Sequence, residues 1–188
     1  MITWIMMPLF VCLFLLYVCQ VRQLCLALDA MLVCGQLEPP VLEAVFLEGL
    51  LCSLGATLLQ HERERFDEFV KYLAGLPLVM DPKVHAGVGE LPGQSSTLYD
   101  FHFDIEKSCW RSWSELVPRY VHDPSARFAD ILVPTVDTVR VSWLLDMFVR
   151  LKHSVLLVGD AGTSKTSTTR SFLKSLSQEA YVSGSRSP

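Results

Sequence analysis

The sequence predicts a mainly helical α/β protein: a helical region with a small β extension, then the first strand, phosphate loop and helix of a truncated P-loop domain. Three observations lead there. Apolar residues recur at helical spacing between Val21 and Ala74. Tyr99 to Asp104 alternates with period two, as a half-buried strand does. Gly159-Asp160-Ala161-Gly162-Thr163-Ser164-Lys165-Thr166 stands between an aliphatic run and a segment able to form a helix.

The N-terminus comes first in chain order. Met1 to Cys19 carries no charge, and Ile5 to Val18 is almost wholly apolar. This is short of the roughly 20 apolar residues that a membrane helix needs. Pro8 breaks the run, and no positive region precedes it as a signal peptide requires. Residues 1–20 are therefore set apart as an apolar segment, either an anchor or a gene-model artefact, with length and flanks weighing against the membrane.

Val21–Cys34 reads as a helix with Leu24, Leu28, Met31 and Leu32 in phase, ended by Gly35 and Pro39-Pro40. Val41–Gln60 is apolar on nearly every side, with Phe46, Leu50, Leu51, Leu54 and Leu58, and is expected to be one buried helix. His61–Ala74 alternates charge with Phe66, Phe69, Val70 and Leu73, an amphipathic helix expected to bury Phe66 and Phe69 and to end at Gly75. Pro77–Ser96 reads as loop, and Tyr99–Asp104 as strand. Trp110 and Trp113 read as packed aromatics, expected beside the two preceding helices. Val136–Leu151 is a further helix and Val155–Val158 a buried strand; the tail from Ser177 has a disordered composition. The divisions are 1–20, 21–130 and 131–188.

Composition limits the function. The 188 residues are 51% hydrophobic with a net charge of −4, so a sizeable core is possible and a general nucleic-acid-binding face is not supplied. Cysteines at 12, 19, 25, 34, 52 and 109 form no C-x-x-C pair, and the histidines show no ligand spacing, which argues against zinc and for reduced thiols in cytosol.

The eight residues from Gly159 to Thr166 carry the chemistry. In the pattern G-x-x-x-x-G-K-[ST], backbone N–H groups wrap phosphates and the following helix adds its positive end. Lys165 reaches the β- and γ-phosphates, and the Thr166 hydroxyl helps to hold Mg²⁺. Ser164 stands where the second glycine belongs, and a side chain there narrows the loop or alters its torsions. The competing reading is a glycine-bearing turn that binds nothing.

Val155–Leu176 resembles the third AAA+ module of dynein heavy chains, in which a G-T-S-K-T or similar loop is common. Ile131-Leu132-Val133-Pro134-Thr135 with Asp137-Thr138 and Arg140 is similar to the segment just before that loop. Glu43–Phe46, Ser53–Ala56 and Arg65–Lys71 look like the inter-module lid helices, and Tyr99–Phe101 and Trp113–Pro118 like the lid extension. The resemblance implies a region 21–130 of AAA lid and extension and a truncated P-loop NTPase (AAA+) region at 131–188. It implies ATP or ADP with Mg²⁺ on Gly159–Thr166, with Val133 and Pro134 near the base. The parent family is a microtubule motor ATPase of cytoplasm, cytoskeleton and ciliary axoneme. Its partners are the rest of the motor ring, light and intermediate chains, and microtubules. The flavour of the motifs points to axonemal members.

Hydrolysis also needs an acidic pair at the end of a second buried strand. Asp67-Glu68 is the only adjacent acidic pair and sits on the amphipathic helix. The expectation is a dynein heavy chain fragment with a regulatory nucleotide loop, not active alone. The alternative is a non-catalytic helical interaction protein with a vestigial loop, with residues 1–19 as its membrane tether if it has one.

Overall fold

Pro39 and Pro40 begin a helix as well as separating two, because a proline in the first turn lacks only an N–H that would have no helical partner there. The computed structural model describes residues 18–32, 37–81, 83–93, 97–121, 131–158 and 162–176. Most of the apolar segment 1–20, the loop residues Gly159–Ala161 and the tail from Ser177 lie outside them. The chain divides after Ser112 into two compact units.

In the first unit, helix α1 (residues 18–31) buries Ala27 and Met31. Its Leu24, Leu28 and Met31 crowd Gly49 of α2 (Pro39–Cys52), and Gln20 Nε2 donates to Thr57 Oγ1 at 3.0 Å. The helix expected to reach Gln60 stops at Cys52. Buried Ser53 turns its hydroxyl back to the Gly49 carbonyl at 2.7 Å, and a 3₁₀ turn, Gly55–Thr57, follows. Such local side-chain bonds offer the backbone an alternative to helix. Burial is also one-sided: Val41, Ala44, Val45, Leu47 and Leu51 are inside, whereas Leu42 and Phe46 are exposed. Pro39–Thr57 is long and apolar enough to cross a membrane by length and composition, yet 44% of it is buried within the chain.

Glu48 is the exception in this apolar helix. It is 3% exposed, and its carboxylate accepts from the Phe103 N–H at 3.2 Å and from His102 Nδ1 at 2.6 Å. Those contacts hold β3 (Phe101–Asp104), which pairs antiparallel with β4 (Cys109–Ser112), Phe103 opposite Trp110. The two rings are fully buried and meet edge to face, centroids 5.3 Å apart. The strand expected from Tyr99 starts two residues later. Thr97 and Asp100 form a capping box that bends Leu98–Asp100 into a 3₁₀ turn.

Helix α3 (Gln60–Ala74) ends at Gly75 in the left-handed conformation. Its rotation corrects the expectation for the aromatic stripe. Val70 and Asp67 are buried, Phe66 is half-buried, and Phe69, Tyr72 and Leu73 face outward at 55%, 82% and 65% exposure. The cause is polar. Asp67 accepts from the Leu98 N–H at 2.7 Å and pairs with Lys71 at 2.8 Å, so its side of the helix must turn inward. The expected loop Pro77–Ser96 holds a two-residue parallel pair, β1 (Leu78–Val79) with β2 (Leu91–Pro92), around fully buried Leu91.

Tyr99 ties these pieces together. Its phenol donates to the Gly55 carbonyl at 3.0 Å, and a Cβ on Gly55 would lie 2.5 Å from that oxygen. Burial pushes its pKa from 10.0 up to about 12, against the Arg63 guanidinium and with Asp67 and Cys52. Arg63 sits 5.2 Å from the ring centroid.

The second unit contains a 3₁₀ turn, Trp113–Leu116, and helices α4 (Val136–Arg150) and α5 (Lys165–Ser175). Trp113 is buried here against Trp143, at 5.6 Å, with Arg140 over its ring; its observed partners are thus on α4. Thr135 caps α4 in a reciprocal box with Thr138, so Pro134 stands one residue outside the helix. At the other end Lys152, at φ 56, lets its own N–H and that of His153 bond back to Val149 and Phe148. The aliphatic run Val155–Val158 forms no strand, and Leu156 and Val158 are 86% and 85% exposed. A buried strand needs ladder partners on its flanks, and none pairs with this run among the described residues.

Two outcomes are expected. Glu48→Leu should lower unfolding stability in denaturant by about 1–3 kcal/mol, because Phe103 N–H loses its acceptor in the core, whereas Glu48→Gln keeps an acceptor and should cost less. Equal losses would show that the charge, not the hydrogen bond, matters. For Tyr99, the folded state favours the neutral phenol. Its contribution is complete below the unfolded pKa near 10 and disappears as pH rises toward about 12. Wild type should therefore lose stability more steeply than Tyr99→Phe across that alkaline window; parallel curves would contradict the assignment.

Candidate phosphate-binding site

Two left-handed residues shape the described segment of the loop. Gly162 has φ +82, with open space where a Cβ would stand, and Ser164 has φ 56 and ψ 10. Ser164 is the N-cap of α5; its carbonyl accepts the Thr168 N–H at 2.8 Å, and its side chain makes no capping bond. The side chain in the second-glycine position thus leaves the backbone in the region a glycine would favour, at the cost that a Cβ incurs there.

Lys165 opens α5, half-buried, and its Nζ donates to Thr163 Oγ1 at 2.8 Å. Thr163, Ser164 and Thr166 are exposed. The first-turn amides of α5 lie at the positive end of an 11-residue helix. Phe172 and Thr168 are its buried residues.

Beside Lys165 and Thr166 lies an open cavity of about 690 Å³. Val155, Leu157 and Leu173 form its apolar wall, and Arg170 and Lys174 add two cations to that of Lys165. Arg170 and Lys174 were not singled out in the sequence, although 166, 170 and 174 share one helix face at four-residue spacing. Val133 is exposed and Pro134 half-buried in the segment before α4; neither belongs to this cavity's lining. Gly159, Asp160 and Ala161 fall outside the described residues.

The residues fit a polyphosphate. Gly162 leaves the loop surface open, one lysine sits at the helix start, and cations continue along the cavity. A hydroxyl follows the lysine at Thr166, as the Mg²⁺ role requires.

Comparison with known proteins agrees in order along the chain. Residues 9–115 match the dynein heavy chain AAA lid domain, and residues 120–186 match the P-loop containing dynein motor region. Dynein axonemal heavy chain 10 of Homo sapiens is 52% identical over 163 residues, covering 86% of this chain and 4% of the relative. The Dynein-1-alpha heavy chain, flagellar inner arm I1 complex, of Chlamydomonas reinhardtii is 40% identical over 143 residues, 74% of this chain and 3% of the relative. Dynein axonemal heavy chain 2 of Homo sapiens is 31% identical over 143 residues, 76% of this chain and 3% of the relative.

The left-handed torsion at residue 164 generates a test. Ser164→Val places a β-branched side chain where φ is positive and should strain the first turn of α5 by about 1–3 kcal/mol. Hydrogen exchange at the Thr168 amide, bonded to the Ser164 carbonyl, should accelerate, while Ser164→Gly should not accelerate it. Unchanged exchange in Ser164→Val would mean the loop does not keep this conformation in solution.

Proposed function

The chain belongs to the dynein heavy chain family, and from that premise we propose that Gly159–Thr166 bind the phosphates of ATP or ADP with Mg²⁺. The observation that carries the reading is the Gly162–Ser164 turn, which delivers Lys165 at the start of α5 beside a cation-lined cavity. In this reading the loop amides and the α5 N-terminus hold phosphate oxygens. Lys165 contributes a positive charge near the β- and γ-phosphates, and the Thr166 oxygen is a ligand for the metal. Bound Mg²⁺ would neutralise phosphate charge. Val133 and Pro134 are assigned to the base edge on family resemblance.

We propose further that these 188 residues, acting alone, bind nucleotide without turning it over. Asp67-Glu68 lies on α3 in the first unit, and Asp67 is committed to Leu98 and Lys71. No other adjacent acidic pair exists in the 188 residues to orient an attacking water. A regulatory role is proposed on the family resemblance alone: nucleotide occupancy would set the state of this module, and hydrolysis for movement would occur elsewhere in a heavy chain. The chain spans about 4% of the length of the human heavy chain 10 it matches. Motor activity on microtubules, assembly with the rest of the ring and with light and intermediate chains, and an axonemal location are proposals from that kinship.

Titration of the full chain with ADP and ATP in Mg²⁺ should give weak saturable binding that Lys165→Ala reduces at least tenfold, about 1.4 kcal/mol. Phosphate release under saturating ATP should stay at background. Equal binding by wild type and Lys165→Ala would sink the phosphate-loop assignment. Release above background that Lys165→Ala abolishes would refute binding without turnover.

A further inference from the structure

Thr163 lies between the two left-handed residues, where the turn brings its side chain onto that of Lys165, two positions on. Its hydroxyl accepts the Lys165 ammonium at 2.8 Å, although Thr163 is itself exposed. A lysine side chain is a long flexible stem whose freedom must be lost before its charge can serve a ligand. Threonine, by contrast, is stiff at χ1, so its hydroxyl is a fixed acceptor.

We infer that Thr163 is a positioning residue of the phosphate site: its hydroxyl holds the Lys165 ammonium over the loop before a phosphate arrives. This rests on the nucleotide-binding reading above and adds to it a residue acting through Lys165. An ammonium has three donors, and the threonine oxygen occupies one of them. A phosphate can therefore engage other N–H groups of the same ammonium while the Thr163 contact persists in the loaded site. The share of the lysine ordering that Thr163 provides is absent from the binding step, which is how preorganisation raises affinity. The contact lies inside the loop and is independent of base or ribose, so it acts on any polyphosphate.

The test uses the full chain with two probes, ADP with Mg²⁺ and inorganic pyrophosphate, titrated calorimetrically. Thr163→Val keeps the shape and removes the acceptor; Thr163→Ser keeps the acceptor. Valine should weaken both probes about three- to tenfold, the range of one net hydrogen bond. Serine should stay within about twofold of wild type. In a Lys165→Met background the valine change should have no further effect, as a double-mutant cycle requires if the hydroxyl acts through the lysine. Tighter binding by Thr163→Val would overturn the inference, because the hydroxyl would then compete with phosphate. A valine effect that persists in Lys165→Met would overturn it too, as a role in the loop backbone would. Wild-type binding that Lys165→Met weakens and Thr163→Val leaves unchanged defeats this inference and spares the nucleotide reading. No binding by wild type defeats both.

Discussion

The carboxylate of Glu48 is the constraint on which the first unit is organised. A charge in the middle of an apolar helix is tolerated inside a protein only when its oxygens are occupied. Phe103 N–H and His102 occupy them. Both donors lie on β3, so satisfying one acid places the strand against α2 and fixes which of its faces turns inward. The antiparallel register then sets Phe103 across from Trp110, and the buried aromatic pair follows. Asp67 acts in the same way on the neighbouring helix, anchoring the turn that leads into β3 through Leu98 N–H. The apolar core of this unit is aligned by two acids.

The phosphate loop is organised by torsion. Gly162 can adopt positive φ without penalty, and Ser164 adopts it with one. In return, α5 starts where its amides and Lys165 converge beside the cavity. Retaining a strained conformation at a ligand loop while a glycine would relieve it is a common way in which function and local stability conflict. Here the serine keeps the left-handed torsion that a glycine would supply at that position.

Kinship with dynein heavy chains explains why the two units carry such different chemistry. The first matches a lid domain and is built from helices, a hairpin and buried acids; the second matches the P-loop region and holds the hydroxyl-rich turn and its cations. The outward Phe69, Tyr72 and Leu73 of α3 and the exposed Val155–Val158 run are apolar surfaces of the kind that larger assemblies cover.

Local features were readable from residues alone. Helix α4 matches its expected span to one residue, Gly75 ends α3, and the order of aliphatic run, loop and helix placed Lys165 at a helix start. These depend on periodicity, capping and turn preference, which act over a few neighbours. Features set by distant partners were not readable. The rotation of α3 depends on Asp67 meeting Leu98, 31 residues away, and a helical pattern cannot say which of its polar residues has such a partner. The two-residue pair β1–β2 is too short for alternation to register. Val155–Val158 has strand composition, but composition supplies no ladder; a strand exists only where a neighbouring backbone accepts and donates its hydrogen bonds. In the candidate site, the motif singles out Lys165 and Thr166, while the Thr163 contact and the Arg170 and Lys174 cations emerge from how one turn and one helix face are disposed in space.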